Sequence, residues 1–322
     1  MRYLNHEAIL SAITYDDIID AVEEALLYYK DGNYNMPDRF HYTHDNKTLL
    51  YMPCFSSGIL GTKILTVFPD NITRNHPAID GIMLLNDYNT GAPKAMIDGK
   101  LLTALRTGAV GSMGVKYISP EHTSTLGLIG AGAQGIYQVI FACHCRPIKT
   151  VYVTTRNKEK LHTYINRLKV ELPHVDFIAV DTAEEVVQNA ELIITATSSM
   201  TPVLPENKAL YENKTFIAIG SYQPTMRELP NALMEVAENI YVDIEYAKEE
   251  SGDLFIPLEE NLISEDKIHP IASLIHGEDS YNNNGNGTTV YKSVGMALFD
   301  VIVGDRILKC AEAKSIGQNI VL

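Results

Sequence analysis

Basic charge is scarce in this chain of 322 residues: 26 lysines and arginines stand against 40 aspartates and glutamates, a formal net charge of -14. Phosphate backbones are held by clustered Lys and Arg, so no nucleic-acid partner is expected. Long apolar runs are missing as well. None approaches the roughly 20 residues of a bilayer span, and no membrane is expected. The start, Met1-Arg2-Tyr3-Leu4-Asn5-His6-Glu7, lacks the charged-then-apolar pattern of a secretion signal, and there are 4 scattered cysteines, so the expectation is a cytoplasmic protein. Only Cys143 and Cys145 lie close together. On a helix such a pair points to different faces, and no second pair follows, so no metal is expected. There is no internal repeat.

What is present is an ordinary globular composition, 46% hydrophobic and 20% charged, on a chain long enough for two lobes. Its most informative stretch is the apolar run Thr125-Leu126-Gly127-Leu128-Ile129, which leads into Gly130-Ala131-Gly132-Ala133-Gln134-Gly135. An apolar helix over 136–143 and a strand over 151–153 follow, which is the βαβ setting of a dinucleotide fingerprint. Gly130 would make the tight turn, Gly132 would let a pyrophosphate approach the backbone, and Gly135 would let helix and strand pack closely.

The periodicity before that point differs from the periodicity after it. Residues 15–30 carry apolar side chains at helical spacing, from Ile18 to Leu27. A hairpin is expected over 39–43 and 48–52, with a turn at Asp45-Asn46, and further strands at 61–68, 79–86 and 94–98. A helix over 102–116 leads to the turn Ile118-Ser119-Pro120-Glu121. From residue 125 onward, short apolar strands at 151–154, 177–180, 192–196, 215–219 and 240–243 alternate with helices such as 158–171 and 183–190. The expected class is therefore α/β: a Rossmann-type doubly wound parallel sheet over 119–292, plus a mixed α+β domain over 1–118. A C-terminal helix over 293–313 is expected to pack back on the first domain, which 293–322 completes. The asparagine- and glycine-rich stretch 282–287 reads as a short connecting loop.

Chemistry is expected at strand ends, where open α/β sheets bind ligands. The second strand of the fold ends in Thr154-Thr155-Arg156-Asn157, with no carboxylate to hold a ribose 2′-hydroxyl. Arg156 could pair with a 2′-phosphate while Thr155 and Asn157 donate hydrogen bonds, so NADP(H) is favoured and NAD(H) remains open. Two later ends, with Thr197 and Ser198 in one and Gly220 and Ser221 in the other, carry small polar residues suited to ribose and nicotinamide. In the first domain Arg39, Lys63 and Arg106 stand out, Lys63 because it interrupts the apolar strand Gly61-Thr62-Lys63-Ile64-Leu65. A cation there is costly unless paired. With no acidic neighbour in sequence, a substrate carboxylate is the expected partner. His41 shares a strand face with Arg39 and is a second proton-donor candidate.

Read together, Met36-Pro37-Asp38-Arg39, Tyr51-Met52-Pro53, Gly61-Thr62-Lys63, Phe68-Pro69-Asp70-Asn71, Leu105-Arg106-Thr107-Gly108-Ala109, the glycine turn, Met226-Arg227-Glu228-Leu229 and Lys292-Ser293-Val294-Gly295 resemble the ornithine cyclodeaminase/mu-crystallin family. The resemblance covers nearly the whole chain. It implies a homodimer built through the first lobe, with a small imino or amino acid substrate held between the lobes. It further implies that Arg39, Lys63 and Arg106 bind the substrate carboxylate, that Lys63 takes part in proton transfer with Arg106 as a second catalytic candidate, and that Thr107, Ala133, Gln134 and Ser293 contact the dinucleotide.

Two positions depart from the cyclodeaminases of that family. Where those carry a glutamate two residues before the Met-Pro step and an aspartate after a glycine pair, this chain has Leu50 and Tyr222. Cyclisation that expels ammonia needs an acid to orient and deprotonate the attacking amine. The Thr-Arg-Asn strand end resembles instead the NADPH-using branch, and the expected activity is reduction of a cyclic ketimine or 2-imino carboxylate, such as 1-pyrroline-2-carboxylate or 1-piperideine-2-carboxylate, to an amino acid. The alternatives are ornithine cyclodeaminase, alanine dehydrogenase, a dehydrogenase of N-substituted amino acids, or a non-enzymatic crystallin-like protein that binds NADPH and a small ligand.

Overall fold

The computed structural model describes residues 1–74, 76–278 and 286–321, so positions 282–285 of the asparagine-rich loop lie outside the described residues. The chain divides into two compact units, Met1–Arg106 with Met296–Leu322, and Thr107–Gly295. Among the described residues no helix is long and apolar enough to cross a membrane.

The first unit is a mixed sheet whose inner face is covered by helices. Its strands are Arg2–Leu4, Tyr34–Asn35, Phe40–His44, Lys47–Ser56, Ile59–Val67, Ile79–Asp87, Pro93–Asp98 and Gln318–Asn319. From Lys47 to Asp98 they form an antiparallel meander, and Arg2–Leu4 lies parallel to the last of these strands. Period-two alternation sets the faces. Leu50, Met52 and Cys54, then Lys63 and Leu65, then Met83 and Leu85 all point inward and are buried. The C-terminal helix Ala297–Ala313 covers that face, and the helix Tyr15–Lys30 packs on it in turn. Tyr15–Lys30 starts where the Thr14 hydroxyl accepts from the Asp17 N–H and Asp17 returns a bond to Thr14, a reciprocal cap. On the outward side of the sheet Phe40, Tyr42 and Phe55 are 58%, 60% and 44% exposed.

Among the described residues the second unit holds eight parallel strands in the spatial order Asp176–Ala179, Thr150–Thr154, Thr125–Ile129, Leu192–Thr195, Thr215–Ala218, Thr288–Lys292, Ala237–Val242 and Ile268–Pro270. The order reverses between Thr125–Ile129 and Leu192–Thr195, the point at which a doubly wound sheet opens a crevice. Central strands covered on both faces are apolar without alternation, as Leu192-Ile193-Ile194 and Phe216-Ile217-Ala218 show. The α/β architecture expected from the sequence is thus present.

Two boundaries differ from the sequence reading. The C-terminal helix begins at Ala297, because Thr288–Lys292 is a buried strand and the next residues are pinned. The Asp243 carboxylate accepts the Ser293 hydroxyl at 2.7 Å, the Val294 N–H at 3.2 Å and the Gly295 N–H at 2.7 Å, which holds 293–295 out of helical conformation. The units divide between Arg106 and Thr107, inside the helix Gly99–Ile118, whereas the sequence reading put the boundary after 118. The reason is packing: the small-residue side of that helix, Gly108, Gly111 and Gly114, lies against Phe141, Gln138 and Tyr291 of the second unit.

Both ends of Gly99–Ile118 are capped. Asp98 accepts the Leu101 N–H at 3.0 Å. At the other end the Arg146 guanidinium, 8% exposed, donates to the carbonyls of Lys116 at 2.6 Å, Ser119 at 2.7 Å and Pro120 at 2.9 Å. A cation among the last carbonyls satisfies groups that the helix itself cannot. Arg146→Met keeps the stem and leaves those carbonyls without their donor, and it is expected to cost about 3 kcal/mol. Urea unfolding checks this; a loss below about 1 kcal/mol would show that solvent replaces the guanidinium.

Candidate active site

The glycine turn is built from backbone geometry. Gly130 has φ +110°, a conformation that disfavours any Cβ, and a Cβ there would meet the Ala196 carbonyl oxygen at 2.5 Å. Its N–H is tied to the Thr154 carbonyl at 3.0 Å, so the first and second strand ends are held together. Gly132 caps the helix Ala133–Cys145 with no side-chain bond, and a Cβ there would meet nothing within 4 Å. The N–H groups of a first turn facing open space form an anion site. The Gln134 Oε1, in that turn, is buried with no hydrogen-bond partner in the structure. This uncapped, open helix start fits the pyrophosphate of a dinucleotide.

Around it lies a cavity of about 590 Å³ lined by Gly130, Gly132, Thr155, Arg156, Asn157, Thr197 and Ser198 among others. Seven of the residues singled out from sequence as dinucleotide contacts therefore converge on one space. Lys158 also lines it, but its Nζ donates to Thr154 Oγ1 at 2.7 Å and to the carbonyls of Val180 at 3.0 Å and Asp181 at 2.7 Å. Those bonds commit Lys158 to joining strand ends. Arg156 is exposed at the rim.

The other candidates lie elsewhere in the unit. Ala133, Gln134 and Gly135 form the helix start, Gly135 beneath the turn. The Thr107 carbonyl accepts from Gln138 Nε2 at 2.8 Å. The Gly220 N–H donates to Glu228 Oε2 at 2.6 Å. Ser221 Oγ is bonded to the Met226 carbonyl at 2.8 Å and to Ser251 Oγ at 2.6 Å, and the Ser293 hydroxyl goes to Asp243. Both hydroxyls are engaged inside the protein. The sequence does not disclose this, because their partners are carried by separate elements.

In the first unit the structure brings Lys63 and Arg106 together through a residue that the sequence reading missed. Lys63 Nζ donates to Asp300 Oδ2 at 2.6 Å, and Arg106 Nε donates to Asp300 Oδ1 at 2.9 Å. Lys63 is 1% exposed, Arg106 8% and Asp300 0%. The expectation that a substrate carboxylate is the primary partner of these cations is corrected here: the protein supplies its own. Asp300 faces the sheet from the helix Ala297–Ala313, and only its polarity within a buried apolar helix face could have signalled it.

Burial drives the Lys63 amine down to about 7, with the Arg106 and Arg39 charges acting the same way and Asp300 opposing. An amine there can give or take a proton near neutral pH. Arg39 lies next to the strand Phe40–His44, in line with Met52, which pairs with Lys63. His41 is pushed below its ordinary value by burial and then by Arg39, both of which disfavour its charged form. The Cys54 thiol is raised to about 12 by burial and then by Asp300, and it stays protonated.

A sequence model of the ornithine cyclodeaminase/mu-crystallin family matches residues 3–315. A Delta(1)-pyrroline-2-carboxylate reductase of Bacillus cereus is 33% identical over 289 residues, covering 88% of this chain and 87% of that protein. Among solved structures, the Delta(1)-pyrroline-2-carboxylate reductase of Thermococcus litoralis, in complex with NADH and L-proline, superposes with a TM-score of 0.93 at 28% identity, covering 99% of this chain and 100% of the other. An archaeal alanine dehydrogenase dimer with bound NAD gives 0.91 at 27% identity, covering 100% and 99%.

The shared carboxylate makes stability depend on pH in a defined direction. In Asp300→Asn the Lys63 amine loses the one charge that raises its pKa, so its folded value falls below about 7 while its unfolded value stays ordinary. Below pH 7 the wild-type amine takes up its proton in both states and its contribution levels off. In the variant only the unfolded state takes it up, so stability keeps falling. The expected deficit, about 3–5 kcal/mol for a broken buried pair, is smallest near pH 9 and widens below pH 7. Urea midpoints across pH test this, and a deficit that narrows on acidification would contradict it.

Proposed function

Because the chain belongs to the ornithine cyclodeaminase/mu-crystallin family, we propose that it reduces a cyclic ketimine carboxylate, such as 1-pyrroline-2-carboxylate or 1-piperideine-2-carboxylate, to the cyclic amino acid. The observation that carries this reading is the buried Lys63–Asp300–Arg106 cluster. Hydride addition at the C=N carbon needs the nitrogen to gain one proton, the carboxylate to be held, and little water nearby. Lys63, poised near neutrality, is the proton source for that nitrogen. Asp300 engages Nε of Arg106 and leaves its terminal nitrogens as the fork for a carboxylate, with Arg39 as the second cation. A nicotinamide dinucleotide, when bound, supplies the hydride. Gly130, Gly132, Ala133, Gln134 and Gly135 would receive its pyrophosphate, Thr107, Gly220, Ser221 and Ser293 would flank its nicotinamide end, and Thr155, Arg156, Asn157, Thr197 and Ser198 would line the path between.

Cyclodeamination of ornithine is disfavoured by Leu50, which lies 9% exposed beside Leu65 where an acidic group would be required. The exposed aromatic face of Phe40, Tyr42 and Phe55 supports a homodimer formed through the first unit, in keeping with the dimeric archaeal relative.

The test is oxidation of reduced dinucleotide with 1-pyrroline-2-carboxylate, with proline as product. Lys63→Ala is expected to lower kcat by about a hundred- to ten-thousand-fold with little change in dinucleotide affinity. Retention of kcat within about tenfold would remove Lys63 from the proton path. Wild-type turnover of pyruvate with ammonia, and of no cyclic imine, would favour an alanine dehydrogenase.

For the cofactor, the absence of a carboxylate after Thr154 and the exposed Arg156 support NADP(H), although the relatives above have NADH and NAD bound. Arg156→Ala should raise the KM for NADPH about tenfold or more while barely moving that for NADH. Equal effects on both would set aside the phosphate role.

A further inference from the structure

The second unit buries a carboxylate that neither the fingerprint nor the cation cluster uses. Glu228 is 0% exposed. Its Oε1 accepts the Thr197 N–H and the Thr197 hydroxyl, each at 2.7 Å, and its Oε2 accepts the Gly220 N–H at 2.6 Å. Thr197 follows the strand Leu192–Thr195 and Gly220 follows Thr215–Ala218, neighbours in the sheet with Thr195 opposite Ala218. One side chain therefore ties together two adjacent strand ends.

We propose that Glu228 is a positioning residue that sets the loops at Thr197 and Gly220 in register for the dinucleotide. The inference rests on the dinucleotide half of the reading above and does not depend on which imine is reduced. Three strand-end loops are in contact here. A Cβ on Gly220 would lie 1.9 Å from the Thr197 carbonyl oxygen, and a Cβ on Gly130 would lie 2.9 Å from Thr197 Cγ2. Thr197 is thus wedged between the fingerprint turn and the Gly220 loop while it lines the cavity. Loops this close cannot move singly, and the carboxylate that fixes two of them fixes the third.

Glu228 is itself held. Asp253 Oδ1 accepts the N–H groups of Glu228 at 2.7 Å and Leu229 at 2.8 Å, and Lys292 Nζ lies 3.2 Å from Asp253 Oδ2 and 3.3 Å from the Ala218 carbonyl oxygen. Two carboxylates and one ammonium in a closed core are costly, and well-packed apolar side chains would often be at least as stable. What apolar side chains could not do is accept main-chain N–H groups from two loops at once.

Glu228→Gln separates the two roles, because it keeps size and shape but offers one acceptor oxygen. Whichever way the amide turns, its NH₂ faces a main-chain N–H that can only donate. Fluorescence titration is expected to show an NADH or NADPH Kd about tenfold or more above wild type. Leu168→Ala, a core truncation in the same unit at a residue 0% exposed, is expected to lower Tm at least as far and leave Kd unchanged. Should Glu228→Gln fail to fold, Glu228→Asp keeps the charge but is one methylene too short to reach both loops, and it should also weaken binding. Wild-type Kd in a folded Glu228 variant, or equal weakening in Leu168→Ala, overturns the proposal. Wild-type protein that binds dinucleotide but reduces no imine would sink the imine reading and leave this inference standing; wild-type protein that binds neither dinucleotide overturns both.

Discussion

One carboxylate with two cations on it sets the terms for the first unit. Asp300 can lie fully buried only because Lys63 and Arg106 donate to its separate oxygens, and neither cation could stay in that core without it. The arrangement fixes geometry well beyond the three residues. The helix Ala297–Ala313 must present position 300 to the inner face of the sheet, and Ile59–Val67 must be registered so that Lys63 sits between Met52 and Met83. A slip of one residue in that strand would send the lysine to the opposite face. The cluster also leaves the amine in a chemically useful state. Desolvation and neighbouring cations outweigh one negative partner, so the proton is held loosely where an ordinary lysine would keep it.

The second unit meets a related constraint with the opposite sign of charge. There two of the buried carboxylates, Glu228 and Asp243, are met largely by main-chain N–H groups at the ends of parallel strands. Burial raises the Asp243 carboxyl while the Ser293 hydroxyl and the N–H groups of Gly295, Val294 and Ile244 pull it back. In each unit a charge that destabilises the core in isolation is retained where it immobilises something: an amine and a guanidinium in one, loops of the backbone in the other. The polar groups are costly to bury and yield a single arrangement rather than a family of near-equal ones.

How much of this could be read from the sequence follows from the range of the interactions involved. The strand, turn and helix from Thr125 to Cys145 are legible because the fingerprint is local: φ at Gly130 and open space at Gly132 are properties of a few consecutive residues. Lys63 is legible as an anomaly, a cation in an apolar strand. Its partner is not, since Asp300 lies 237 residues further on and its helix gives no sign of which face meets the sheet. The strand Thr288–Lys292 was likewise hidden. Five residues after an asparagine-rich stretch look like a connection, and only insertion between two parallel strands makes them part of the sheet core. Of the seven cavity-lining candidates, Gly130 and Gly132 came from the fingerprint and the other five through strand ends, a topological rule that carries over from sequence. Ser221, found by the same rule, and Ser293, implied by the family resemblance, have hydroxyls engaged by Met226, Ser251 and Asp243, a fact that belongs to packing.

The same reasoning bears on the choice between reducing a ring that is already closed and closing it. Ring closure with loss of ammonia asks the protein to hold and deprotonate a distal amine, which needs an acceptor facing the substrate. On the inner face of Lys47–Ser56 this chain offers Leu50, Met52 and Cys54, all buried, and the thiol among them stays protonated to about 12. That face, packed against the helix Ala297–Ala313, carries no acceptor for a second ammonium, whose burial against it would be costly. The polar groups nearby are donors, Lys63 and Arg106, and both are anchored on the unit's own carboxylate. A cluster rich in donors and poor in free acceptors supports the proposed reduction, in which the nitrogen of an anionic substrate gains a proton, over a cyclisation in which an amine must lose one.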